Sequence, residues 1–147
     1  MLDITIKTFN ELSLEELYYV LQLRSEVFVV EQDCVYQDVD GKDQTALHVI
    51  GKNNNMIIAY TRIFKPGDYF KEASIGRVVV SQKERHLKYG HQLMIASITA
   101  IEDVYDTKEI KLSAQKHLEK FYNNLGFITI GTPYLEDGIP HIAMLKS

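Results

Sequence analysis

Cysteine is almost missing from this 147-residue chain, proline is scarce, and no apolar run is long. The lone Cys34 excludes an internal disulfide and suits a reducing, cytoplasmic compartment. The longest apolar stretches resemble Val27-Phe28-Val29-Val30, far short of the roughly 18 residues that a membrane helix requires. The opening Met1–Lys7 lacks the basic and apolar regions of a signal peptide and alternates as a strand does. A surplus of positive charge is absent too. Sixteen Lys and Arg against twenty Asp and Glu give a formal charge of −4, which weighs against a general nucleic-acid binder. No repeat, low-complexity tract or Pro/Gly/Ser-rich linker interrupts the chain, so a single domain over residues 1–147 is expected, long enough to bury a core.

Several motifs are missing as well. There is no G-x-x-x-x-G-K-[ST] and no G-x-G-x-x-G after a strand, which excludes the commonest nucleotide loops. In "DVDGKD", Asp38 and Asp40 could alternate as calcium ligands, but no register also supplies a glycine at the sixth and a glutamate at the twelfth position. His48, His86, His91, His117 and His141 lack ligand spacing, so no metal site is expected.

What is present reads as alternating strands and amphipathic helices. A strand over about 3–9 precedes a helix whose start carries a capping box, Ser13 and Glu16. Leu14, Leu17, Tyr18 and Leu21 share one face of it and are expected to pack inward. "EQDCVYQDVDGKD" then reads as an irregular loop of about 15 residues, a length that within a compact domain usually marks function. "ALHVIG" and "MIIAYTRIF" form a hairpin across an asparagine-rich turn, and "ASIGRVVV" adds a strand. Residues 90–104 form a helix with Leu93, Met94, Ser97, Ile98 and Ile101 on one face. "EIKLSA" is a strand and "KHLEKFYNNLG" a short helix capped by Gly126. "FITIG" and "HIAML" end the chain as strands. The order β-α-loop-β-β-β-α-β-α-β-β predicts an α/β fold, a mixed sheet flanked by helices.

Between the strand ending "RVVV" and the helix after Gly90 lies the chain's densest basic cluster: Lys83, Arg85, His86, Lys88 and His91. A helix start offers N–H groups without intrahelical partners and a dipole that favours anions, and Arg85 and Lys88 would add charge-assisted bonds to phosphate oxygens. Gly90 would permit close backbone approach. The alternative is a solvated basic turn.

These residues also carry a resemblance. "RVVV" followed by Arg85-His86-Leu87-Lys88-Tyr89-Gly90 and a helix resembles the acetyl-CoA loop of the GNAT N-acetyltransferase superfamily, [RQ]-x-x-G-x-[GA]. "LSAQKHLEKFYNNLGF" is similar to that superfamily's second block. With "LRSEVFVVEQDCVYQDVDGKD" and "EDGIPHIAM" the likeness narrows to the ElaA-type branch and spans nearly the whole chain. Lys88 stands where the superfamily pattern has its first glycine, and the branch is similar in carrying lysine there.

The resemblance implies a mostly antiparallel sheet whose central parallel strand pair splays to admit acetyl-CoA. It implies that Val78 and Val80 pair with the pantetheine arm through their backbones. The N–H groups of Leu87, Lys88, Tyr89, Gly90 and His91, with Arg85 and Lys88, would hold the diphosphate. It implies direct attack of an amine acceptor on the thioester, with Tyr122 protonating the leaving thiolate. Helical spacing beside Leu118 and Leu125 equally allows Tyr122 a core role. Glu31 is the expected base, with His48 and His141 the next candidates. His48, His141 and an acidic rim including Asp38 and Asp40 are expected on the acceptor side. The rival reading is a coenzyme A-binding regulatory module without chemistry. Neither nucleic acid nor membrane is expected as a partner, and monomer and homodimer both remain open.

Overall fold

β-branched and aromatic residues at alternate positions make the strands, and their pairing makes one mixed sheet. The computed structural model describes residues 2–147. Its strands are β1 (Asp3–Thr8), β2 (Leu47–Asn53), β3 (Met56–Phe64), β4 (Ala73–Val80), β5 (Ile110–Gln115), β6 (Ile128–Glu136) and β7 (Ile139–Lys146). They form a seven-stranded sheet in the order β1-β2-β3-β4-β5-β7-β6. Every neighbouring pair is antiparallel except β4–β5. The helices are α1 (Leu14–Arg24), α2 (Tyr89–Tyr105) and α3 (Glu119–Asn123). The expected fold class is the one observed.

β2 and β3 turn through Asn54 and Asn55, both at positive φ (52° and 64°), the tight reversal that asparagine tolerates. β6 and β7 turn through Asp137 and Gly138 in the same way (51° and 77°). That hairpin is longer than "FITIG" and "HIAML" predict, because its arms continue as far as Glu136 and Ile139.

α2 buries Leu93, Met94, Ser97, Ile98 and Ile101, the predicted face, against the sheet. α1 does the reverse of what was expected. Its Ser13–Glu16 capping box forms, yet Leu14 and Tyr18 are exposed, Leu17 and Leu21 are half-buried, and Val20, Leu23 and Arg24 point inward. The competing stripe wins because Val20, Leu23 and Val27 fit against Ile50, Tyr60 and Val79. The helix then widens into a π-helical segment over Ser25–Glu31, with i→i+5 bonds such as Cys34 N–H to Val29 O at 3.0 Å. This segment delivers Phe28, Glu31 and Gln32 to the middle of the sheet.

That middle is split. β4 and β5 pair only at Ala73 with Ile110 and Ser74 with Lys111, and beyond these residues the parallel strands separate. A bulge in β4 assists: the register against β3 slips between Gly76 and Val79, and Arg77 takes a positive φ of 50°. The split leaves a row of backbone N–H and C=O groups on β4 facing open space.

Candidate functional site

Two cavities meet at the split. The larger, about 820 Å³, lies between the π-helical segment, the end of β4, the start of α2 and α3. The smaller, about 120 Å³, lies toward the β6–β7 hairpin. Both are lined by Phe28, Gln32, Val78, Gln115, Leu118 and Tyr122. A reaction between ligands in the two cavities would take place beside those residues.

The larger cavity has a polar end. Residues 82–87 form a 3-10 turn, Lys88 adopts a left-handed conformation (φ 59°, ψ 26°), and α2 begins at Tyr89. The positive φ explains why a glycine suits this position in related loops; Lys88 adopts it at a steric cost and brings a cation to the loop. No side chain caps α2, whereas α1 is closed by Ser13 Oγ and Glu16 Oε1. The first N–H groups of α2 are therefore left for an external acceptor.

Val78, Val80, Arg85, Lys88, Gly90 and His91 all line this cavity, as does Glu31. Leu87 and Tyr89 do not: Leu87 is largely exposed, and the Tyr89 side chain is in the core, so only their N–H groups remain for a ligand. The positive φ of the loop is at Lys88 and not at Gly90, where an added Cβ would lie 3.5 Å from Phe121 Cζ. That is an ordinary van der Waals contact, so neither φ nor space at position 90 by itself demands glycine.

Glu31 is not placed as a base. Arg85 donates from Nη1 and Nη2 to the Glu31 carboxylate at 2.5 and 2.9 Å, and from Nε to Val80 O at 3.1 Å. A carboxylate chelated by a guanidinium has a lone pair of each oxygen engaged, and Glu31 lies on the large cavity alone, away from the smaller one.

The acidic rim is corrected more firmly. Arg24 Nε and Nη1 donate to Asp38 and Asp43, each at 2.8 Å. Arg62 binds Asp40 at 2.8 Å and Asp43 at 3.0 Å, and Arg77 lies 2.8 Å from Asp38. Three arginines neutralise three aspartates, so Asp38 and Asp40 organise the long loop and have no charge to spare for an acceptor. His48 is buried in the same region, with Nε2–H donating to Asp43 O at 2.9 Å and Nδ1 accepting from the Tyr60 hydroxyl at 2.6 Å. Burial lowers its pKa, and it lines neither cavity. The sequence pattern misled here because Arg24, Arg62 and Arg77 are distant along the chain.

Tyr122 and His141 are on the cavities. Tyr122 is buried and lies edge-on to Phe121 and Phe127, with ring centroids 5.0 and 6.2 Å away. Desolvation pushes its phenol pKa up, so it keeps its proton at neutral pH. His141 lines the small cavity with Glu136, Ser113, Tyr36 and Arg77. Ser113 and Arg77 were not singled out from the sequence; alternation along "KLSAQ" places Ser113 on the same strand face as Gln115, the one available signal.

Comparison with known proteins decides the family. The profile described as an acetyltransferase (GNAT) domain matches residues 9–147. ElaA of Escherichia coli is 46% identical over 139 residues, covering 93% of this chain and 91% of that protein. The chain belongs to the GNAT family, in its ElaA-type branch. The ElaA crystal structure superposes with a TM-score of 0.93 at 43% identity and full coverage of both chains. An acyl-CoA N-acyltransferase of Pseudomonas aeruginosa does so with a TM-score of 0.94, also at 43% identity and full coverage. A GNAT acetyltransferase of Elizabethkingia anophelis, crystallised with acetyl-CoA bound, shares the fold at 16% identity (TM-score 0.66, covering 99% of this chain and 97% of that one). The GNAT chain described here is an acyltransferase by family. Among the described residues, no helix is long and apolar enough to cross a membrane.

Proposed function

We propose that this GNAT domain, residues 1–147, is a cytoplasmic N-acetyltransferase that takes its acetyl group from acetyl-CoA. The observation that carries the reading is the junction of two cavities at Tyr122, one ending in an uncapped helix start beside Lys88. In this reading the first N–H groups of α2, with Arg85 and the Lys88 ammonium, hold the diphosphate. Val78 and the Val80 N–H, not paired with β5, offer backbone groups to the pantetheine amides, while Val80 O already accepts from Arg85 Nε. The Val80 N–H there can also donate to the developing oxyanion. Thiolate departure leaves the sulfur beside Tyr122, which returns a proton to it.

Isothermal titration tests the cofactor. Acetyl-CoA is expected to bind the wild type and to bind Arg85→Ala/Lys88→Ala at least tenfold more weakly. An undiminished affinity in the double variant, or no binding to the wild type, overturns the reading. A bound cofactor without turnover of any amine favours the regulatory module.

Glu31 gives a second prediction. Its carboxylate sits on the guanidinium that a diphosphate would use. Glu31→Gln is expected to tighten coenzyme A binding by about 1.5- to 5-fold, the equivalent of a half-exposed ion pair released from competition. The same titration checks it, and weaker binding would mean that Glu31 and Arg85 close over the cofactor as a pair.

A further inference from the structure

The small cavity has a feature that acetyl-CoA does not explain. His141 is 7% exposed, and its Nδ1–H donates to Ile139 O at 2.7 Å, so the lone pair of the neutral ring is on Nε2. Nε2 faces Glu136 Oε2 at 3.4 Å. In the neutral ring Nε2 and the Glu136 oxygen are both acceptors, and one cationic N–H donor placed against them would satisfy both. Glu136 is held in place by Ser113 Oγ, which lies 3.4 Å from Oε1 and is itself hydrogen-bonded to the Tyr134 hydroxyl. For Ser113 to donate to Glu136, Tyr134 must donate to Ser113, which fixes the direction of the chain. Tyr134 also stacks on the His141 ring at 6.2 Å between centroids.

The surrounding charge defines what fits. From β6 the ring meets Glu136 and Tyr134, on β5 His141 pairs with Gln115, and Ser113 and Asp137 line the same cavity. Across the cavity are Tyr36, Cys34 and Tyr122, with Arg62 and Arg77. The two arginines are neutralised by Asp38, Asp40 and Asp43. Glu136 and Asp137 are left without such partners, so the mouth is anionic. Phe28, Phe64 and Phe70 give the remaining wall an apolar, aromatic character.

We infer that Glu136 and His141 form the acceptor site for a primary ammonium group without a neighbouring carboxylate, and that His141 is its general base. This inference rests on the acetyl-transfer reading and names its substrate class. The ammonium donates to Glu136 and to His141 Nε2. One proton passes to Nε2, the free amine attacks the thioester carbonyl, and the C–S bond breaks. The second amine proton leaves as the amide forms and replaces the proton that Tyr122 gives to the thiolate. The balance is ammonium plus acetyl thioester to acetamide plus thiol plus one proton, released from His141 to water. An α-carboxylate would lie against Glu136 and Asp137 and is disfavoured by like charge.

The test pairs amines with their α-carboxylated counterparts, 2-phenylethylamine with phenylalanine and tyramine with tyrosine, following coenzyme A release. The amines are expected to show kcat/KM values at least tenfold higher. His141→Gln is expected to lower kcat by about 100-fold and to remove the acidic limb of the pH profile, because a protonated imidazole cannot take the proton. Glu136→Gln is expected to raise KM for the amine and retain that limb. Titration with coenzyme A shows whether each variant still folds and binds. Faster turnover of the amino acids, or no turnover of either amine by a wild type that binds acetyl-CoA, overturns the acceptor class. An unchanged kcat and pH profile in His141→Gln overturns the base. Absence of acetyl-CoA binding refutes the parent reading instead.

Discussion

Tyr122→Phe is expected to lower kcat by about 10²- to 10⁴-fold while leaving acetyl-CoA affinity and stability nearly unchanged. The ring is fixed by Phe121 and Phe127 and would stay where it is without its hydroxyl. Among the described residues, Tyr122 is the only tyrosine that lines both cavities. Burial raises its pKa, which at first sight makes it a poor acid. The same desolvation acts on the thiolate it would protonate, whose negative charge is equally costly there, so the proton is drawn from oxygen to sulfur as the charge develops. Because the shift is upward, the acid form persists through neutral pH, and Tyr122 contributes no loss of activity on the acidic side. A thioester with a more acidic leaving thiol needs less protonation, so the deficit of Tyr122→Phe should shrink with it. A deficit equal for both thioesters would assign Tyr122 to positioning, and a kcat close to wild type would remove it from the chemistry.

Local chemistry made much of this molecule legible in its sequence. The asparagine hairpin, the Ser13–Glu16 box, the buried face of α2 and the loop before Gly90 each depend on residues within a few positions of one another. What could not be read depends on long-range partners. α1 offers two apolar stripes, and only the presence of Ile50, Tyr60 and Val79 selects the one with Val20 and Leu23. Asp38 and Asp40 look like a solvated acidic rim until Arg24, Arg62 and Arg77 are brought to them by three different elements. Glu31 looks like a free carboxylate until Arg85, 54 residues away, is folded onto it. Charged side chains are the hardest to assign from sequence because one distant partner reverses their role.

The buried ion network makes the second large prediction: Arg24→Ala should cost about 3–5 kcal/mol, a substantial share of the roughly 5–15 kcal/mol that holds a domain together. Arg24 is fully buried, bonds both Asp38 and Asp43, donates to Asp38 O at 3.0 Å, and lies over the Tyr60 ring at 5.8 Å. Its removal leaves two buried carboxylates sharing Arg62 and Arg77. The pH dependence distinguishes this cause from a simple cavity. Burial acts to raise the Asp40 and Asp43 carboxyls, but the arginine bonds outweigh it, holding Asp40 at about 2 and Asp43 below its ordinary value. Groups lowered in this way stabilise the fold above the ordinary carboxylate pKa, about 3.9, and that contribution is lost as pH falls toward 2. Urea unfolding at pH 7, 5 and 3 should therefore show a wide gap between wild type and Arg24→Ala at the two higher values. The gap should narrow at pH 3, where the orphaned carboxylates of the variant take up protons. A gap below about 1 kcal/mol, or one that ignores pH, would mean that the network adds little beyond packing. Tyr36 and Arg77, which bond Asp38, line the small cavity, so the variant's amine KM should rise even where the fold survives.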